Sequence, residues 1–145
     1  MTDRVPAPTG LSVQDRVRAF EDACNADGLD GYAALFSPDV ETSLGARTAR
    51  GRDAVVRTFS VMRTAFPDLV VTFVHVVISG DEVAVELVER GTHTGPLELP
   101  GRTLAATGRR IELRGAAFFR YDSDGLIATI RDYPDLVSLD QQLGS

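Results

Sequence analysis

Apolar residues recur every three or four positions through the first half of the chain and, from Leu69 onward, at every second position. A helical half is therefore predicted to precede a stranded one. Ser12 is placed to cap a first helix in which Val13, Val17, Phe20, Ala23 and Cys24 share one side, and Gly28 stops it. Leu29, Tyr32, Ala33, Leu35 and Phe36 predict a short second helix, ended by Ser37-Pro38-Asp39, with Val40 to Ser43 a brief strand after it. A third helix follows the turn at Arg50-Gly51-Arg52-Asp53, carries the stripe Val55, Phe59, Met62 and Phe66, and ends at Pro67. That stripe is core packing and implies no cofactor site.

Four strands complete the pattern: Leu69 to Ile78, Glu82 to Thr94, Arg109 to Tyr121 and Leu126 to Asp132. Turns at Ser79-Gly80-Asp81 and Asp122-Ser123-Asp124-Gly125 make them an antiparallel meander, and Leu136, Leu139 and Leu143 predict a last helical turn or two. Helices followed by strands imply an α+β domain, its N-terminal helices packed on a curved antiparallel sheet that encloses a cone-shaped cavity. Cavities of that kind hold ligands of a few hundred Å³. Residues 1–11 read as a loose leader without the apolar core of an export signal, and residues 12–145 as one domain.

Alternation places a few polar groups in the inward rows. Leu126, Ala128, Ile130 and Asp132 share one face, so a carboxylate continues an apolar row; the other reading puts Asp132 past the strand end, in water or capping the turn at Tyr133-Pro134. A buried carboxylate has a raised pKa and can exchange protons near neutrality. Val83, Val85 and Leu87 lead in the same way to Glu89, Gly91 and His93. Glu89 either enters the pocket or marks a twist into water, and His93 either donates at a pocket mouth or is satisfied by loop backbone. His75, in phase with Leu69, Val71, Phe73 and Val77, is expected as a satisfied core group. Small residues at Gly115 and Ala117, in the row with Phe119, leave room for a ligand or for a closely packed helix. The apolar loop from Pro96 to Gly108 suits a pocket lid better than a dimer contact.

Composition narrows the partners. A net charge of −6 and a pI near 4.8 over 145 residues oppose nucleic acid and anionic lipid, and no apolar run is long enough to span a bilayer. The single cysteine, Cys24, forms no internal disulfide, and two distant histidines without a Cys/His cluster make a metal site unexpected. Nucleophile elbows, phosphate loops, dinucleotide fingerprints and zinc motifs are absent, which leaves carboxylate and imidazole acid/base chemistry.

Five segments, Phe66-Pro67-Asp68-Leu69, Gly91-Thr92-His93-Thr94-Gly95-Pro96, Thr107-Gly108-Arg109-Arg110, Arg131-Asp132-Tyr133-Pro134-Asp135 and Gln141-Gln142-Leu143-Gly144, resemble in order and spacing the SnoaL-like polyketide cyclases of the nuclear transport factor 2-like superfamily. The resemblance runs from about Ser12 to Gly144 and implies the cone-shaped α+β fold that ketosteroid isomerases also use. It implies a cofactor-free intramolecular aldol ring closure of a polyketide, with the family's acid/base aspartate falling at Asp132; to this the reading of the residues adds His93 and Glu89 as assisting groups. Glu89, Leu87, Ala117, Phe119, Phe20, Phe59 and Met62 are the expected substrate-binding residues. Polyketide hydroxylation, ester or lactone cyclisation, and small-molecule binding without catalysis are the alternatives within the same fold. Two features depart from the family pattern: a histidine of well-studied cyclases falls at Ala117, and Glu89 stands where an apolar residue is expected. The expected partner is a small hydrophobic or polyketide-like ligand. The expected state is a cytoplasmic homo-oligomer, a dimer or tetramer, without cofactor or metal.

Overall fold

A computed structural model describes residues 11–144, so the leader proposed at the N-terminus lies almost wholly outside the described residues. In chain order the elements are α1 (Val13–Cys24), α2 (Asp30–Ala33), β1 (Phe36–Leu44), β2 (Arg47–Arg50), α3 (Arg52–Ala65), β3 (Val70–Ser79), β4 (Glu82–Thr92), β5 (Leu97–Leu99), β6 (Arg102–Leu104), β7 (Arg110–Tyr121), β8 (Ile127–Pro134) and α4 (Leu136–Leu143). The architecture is α+β, with α1, α2 and α3 covering one face of an open, curled six-stranded sheet ordered β2-β1-β8-β7-β4-β3.

The sheet is mixed where an antiparallel one was expected, because β1 runs parallel to β8 while every other pair is antiparallel. A chain that crosses over through α3 and returns to lie beside an early strand gives a parallel neighbour. The predicted brief strand is longer, Phe36–Leu44, and hairpins with β2, an element the sequence reading lacked. The long loop likewise contains a second small hairpin, β5–β6, whose Leu97 is buried against the core beside α3.

Two bulges shift faces that strict alternation had assigned. Between Phe73 and His75 the β3 register against β4 slips, so His75 pairs with Glu86 on the outer face. His75 is therefore exposed and not the core group expected, and Val76 takes the inward row opposite Val85. A second slip between Arg120 and Tyr121 skips Ala128, which puts Ile127, 0% exposed, into the inward row ahead of Ile130 and Asp132. An extra residue in one strand reverses the side on which later residues fall.

Side chains of the helices bind the exposed strand edges. Ser12 and Asp15 form a reciprocal capping box that starts α1, whose inward face is Val17, Phe20 and Cys24. Its far end meets edge strand β3: the Asn25 side-chain amide donates to the Val71 carbonyl and accepts from the Val71 N–H, both at 2.8 Å, and Glu21 accepts from the Phe73 N–H at 2.6 Å. Gln142 of α4 does the same for Glu112 of β7, beyond the point where β8 ends. These contacts supply the backbone partners a further strand would have given, and they close edges open to intermolecular pairing. Removing the first of them with Asn25→Ala is expected to lower stability by about 1–3 kcal/mol, as a buried backbone pair loses its partners. Urea unfolding checks this; a change within about 0.5 kcal/mol would place the β3 edge in water.

Candidate active site

The core between helices and sheet is an aromatic cluster. Phe20 meets Phe36, Phe73 and Phe119 edge-on with centroids 5.2–5.8 Å apart, and Tyr32 stacks on Phe59 at 4.6 Å. Three of the expected substrate-binding residues, Phe20, Phe119 and Ala117, are thus packed in the core at 4% exposure or less, and Phe59 is 9% exposed. Met62 and Leu87 are partly buried against the same cluster. Edge-on ring pairs and close stacking fix the shape of this wall.

Two carboxylates enter that apolar interior from the sheet. Asp132 pairs across β7 with Ala117, which pairs with Val85 on β4; Glu89 lies four residues further along β4, between Val71 of β3 and Leu113 of β7. Both are on the core face, the placement alternation predicts. Loss of hydration pushes the Asp132 carboxyl up to about 6. Glu89 is pushed up to about 7, chiefly by burial, with the negative charge of Asp132 adding to it and Arg63 opposing. No hydrogen bond or ion pair to either carboxylate is found among the described residues, and Glu89 Oε2 is buried without a partner.

Arg63 offsets the Glu89 charge only in part, and three of its N–H donors go to backbone carbonyls. Its guanidinium donates to the carbonyls of Leu69 at 3.3 Å, Ala26 at 3.2 Å and Cys24, and sits 5.5 Å from the Phe59 ring centroid. Cys24 of α1 and Tyr32 of α2 complete the polar groups near the pair, and both carboxylates help push their pKa values up, after burial. Their proximity to the carboxylates was not legible in the sequence, where each read simply as a residue on an apolar helical face.

His93 occupies a different place. It is 0% exposed, its Nδ1 accepts from the Thr107 N–H at 3.2 Å and lies 2.9 Å from Thr107 Oγ1, and its ring tilts against Phe66 at 5.3 Å. An Nδ1 that accepts a backbone proton leaves the ring proton on Nε2, which is buried without a partner. Along the chain His93 lies four residues beyond Glu89, about 13 Å of extended strand, and eight beyond Val85 in the Asp132 row. The structure thus brings Asp132 and Glu89 to one interior and sets His93 by the loop that follows β6. Two surface hollows, of about 210 and 540 Å³, open elsewhere: one is lined by residues including Val77, Phe118 and Arg131, the other by residues including Thr42, Thr48 and Arg50. Asp132, Glu89 and His93 line neither hollow. Among the described residues no group of three or more potential ligands could hold a metal ion, and no helix is long and apolar enough to cross a membrane.

Raised carboxyl pKa values link protonation to folding. The folded protein holds these protons more tightly, so it is favoured below the ordinary values of 4.5 and 3.8 and loses stability as pH rises through about 7 for Glu89 and about 6 for Asp132. For Glu89 the difference between 4.5 and about 7 corresponds to roughly 3 kcal/mol. Glu89→Gln, which cannot ionise, is expected to match the wild-type protein at about pH 4 to within about 1 kcal/mol. By about pH 8 it should exceed it by on the order of 3 kcal/mol in urea unfolding. A stability difference that does not change with pH would mean that Glu89 ionises freely in the folded state.

Comparison with known proteins agrees with this architecture. The sequence profile described as SnoaL-like polyketide cyclase matches residues 14–143. The structure of wild-type IdmH from Streptomyces antibioticus, described as a polyketide cyclase, is similar with 28% identity over 93% of this chain and 100% of that one, TM-score 0.76. AclR from Streptomyces galilaeus, described as a hydroxylase, shares the fold at 24% identity, covering 91% of this chain and 80% of that one with TM-score 0.78. A protein of ketosteroid isomerase-like fold from Catenulispora acidiphila matches at 21% identity over 92% of this chain and 95% of that one, TM-score 0.72. No functionally curated protein matches the chain. With the profile spanning nearly all of α1 to α4 and the fold shared throughout, the chain belongs to the SnoaL-like polyketide cyclase family.

Proposed function

We propose that the protein is a cofactor-free cyclase that closes a ring in a small polyketide-like substrate by intramolecular aldol addition, with Asp132 as the general base. The observation that carries this reading is a carboxylate on the core face of the sheet, without hydrogen bond or counter-ion, whose pKa is pushed up to about 6. Such a group is ionised at neutral pH yet basic enough to take a proton from a carbon flanked by two carbonyls. Met62 and Leu87, partly buried against the aromatic cluster, would offer a conjugated substrate apolar contact, and the packed rings of Phe20, Phe59 and Phe119 behind them would exclude water. His93 is assigned no proton-transfer step; its contacts with Thr107 support a role in anchoring the loop after β6.

The family membership and the likeness to IdmH support this class of reaction, and no observation favours hydroxylation or mere binding over it. The proposal extends to a homodimer through the outer face of the sheet. There Val77, Phe118 and Tyr133 are 40–53% exposed, and the Phe118 and Tyr133 rings meet edge-on at 6.0 Å. An apolar row of that extent on an otherwise charged surface suits contact with a second copy.

Asp132→Asn keeps the shape of the side chain and removes the base. Ring closure of an aryl 1,3-diketone bearing a tethered ketone is expected to fall about 10²–10⁴-fold, while calorimetry still registers binding of the cyclised product. Unchanged turnover would exclude Asp132 as the base. Phe118→Glu is expected to give a monomer in sedimentation equilibrium, and an unaltered mass would remove the outer face from the assembly.

A further inference from the structure

We propose that Glu89 is a second catalytic residue: as a neutral carboxylic acid it donates its proton to the carbonyl oxygen that becomes the alcohol, while Asp132 takes the carbon-bound proton. The assignment rests on the reading of Asp132 given above and adds to it the acid half of the reaction.

Geometry distinguishes the two carboxyl groups. Glu89 lies on the core face of β4 between Val71 and Leu113, and its Oε2 is buried with no hydrogen-bond partner. The groups that face it from each packed element are Cys24 of α1, Tyr32 of α2, Arg63 of α3 and Asp132 of β8; its neighbours on β3 and β7 bring no charge. Cys24 and Tyr32 stay neutral, since burial and both carboxylates oppose their ionisation. Arg63 spends its donors on the carbonyls of Cys24, Ala26 and Leu69. An ionised Glu89 would thus have no hydrogen-bond donor at its buried oxygen and only the partial offset of the Arg63 charge, whereas a protonated Glu89 carries an O–H with no acceptor in the protein. Burial favours the neutral acid, and the nearby Asp132 charge favours it further. Paired carboxyl groups whose surroundings separate their proton affinities divide into a base and an acid.

The step balances without a co-reactant. Asp132 removes the proton between the two carbonyls, the resulting carbanion attacks the distal carbonyl carbon, and a C–C bond forms as the C=O π bond breaks. The oxygen takes the proton of Glu89. Asp132 is left protonated and Glu89 ionised, and return of one proton from Asp132 to Glu89 restores the starting state.

Two measurements on the full chain test this. In protein labelled with carboxyl-¹³C glutamate, the resonance lost in Glu89→Gln identifies Glu89, and its titration midpoint is expected at about 7. A midpoint at the ordinary 4.5 overturns the proposal whatever the kinetics show. The second uses the same aryl 1,3-diketone with its tethered ketone in D₂O, which reports C–H exchange and ring closure separately. In wild-type protein closure should decline above about pH 7 as Glu89 ionises. Glu89→Gln should continue to exchange the acidic C–H but close the ring about 100-fold more slowly, whereas Asp132→Asn should slow both by about 10²–10⁴-fold. Closure by Glu89→Gln at the wild-type rate removes Glu89 from the mechanism and leaves Asp132 in place. Exchange by Asp132→Asn at the wild-type rate overturns the reading of Asp132 itself.

Discussion

Holding two half-buried carboxylates on the core face of the sheet, with no hydrogen bond or salt bridge to either among the described residues, is the constraint on which this molecule turns. Taking such a charge out of water is strongly unfavourable, and proteins ordinarily answer by pairing it or by keeping it protonated. Here two carboxyl groups, Asp132 and Glu89, lie on one face of the sheet, and Arg63, whose charge reaches Glu89, directs three of its donors to backbone carbonyls. With no ion pair at either group, both keep their protons to higher pH than usual, Asp132 to about 6 and Glu89 to about 7. A fold optimised for stability alone would fill those positions with apolar side chains. Their presence in an otherwise close-packed aromatic core is a local sacrifice of stability of the kind found at reactive sites.

The rest of the fold keeps that interior dry and in register. Ala117 pairs with both Asp132 and Val85, so β7 fixes the Asp132 row relative to β4, while the rings of Phe20, Tyr32 and Phe59 on the helices build the facing wall, with Phe119 of β7 packed against Phe20. The sheet can hold this arrangement because its open edges are closed by side chains: Asn25 and Glu21 on β3, Gln142 on β7. At the close approach of the β4 exit to α3, Gly95 leaves no room for a side chain. A Cβ there would stand 2.0 Å from the Thr64 carbonyl oxygen, and the N–H groups of Thr94 and Gly95 instead reach the Ala65 carbonyl. Thus the His93 loop is tied to the end of α3, whose Arg63 and Phe59 border the acidic pair.

How much could be read beforehand depends on whether a feature is local. The faces of α1 and α3 follow from spacing, and the polar residues that continue apolar rows, Asp132 after Ile130 and Glu89 after Leu87, are on the core side as alternation implies. Bulges defeat the same rule: one inserted residue near Val74 sends His75 outward, and another at Ala128 brings Ile127 inward. A bulge leaves no reliable trace in composition. The parallel pairing of β1 with β8 and the β5–β6 hairpin escape a local reading because strand order and short pairings are settled by distant contacts. The convergence of Cys24 and Tyr32 on the carboxylates escapes it for that reason also, since α1 and α2 meet the sheet only in the folded chain.

The central claim is that Asp132, half-buried on the core face of the sheet, has lost enough hydration to keep its proton up to about pH 6. A ¹³C titration of its carboxyl in the full-length protein, assigned by its loss in Asp132→Asn, reads that directly. The account predicts a midpoint of about 6, and a midpoint at the ordinary value of 3.8 would contradict it.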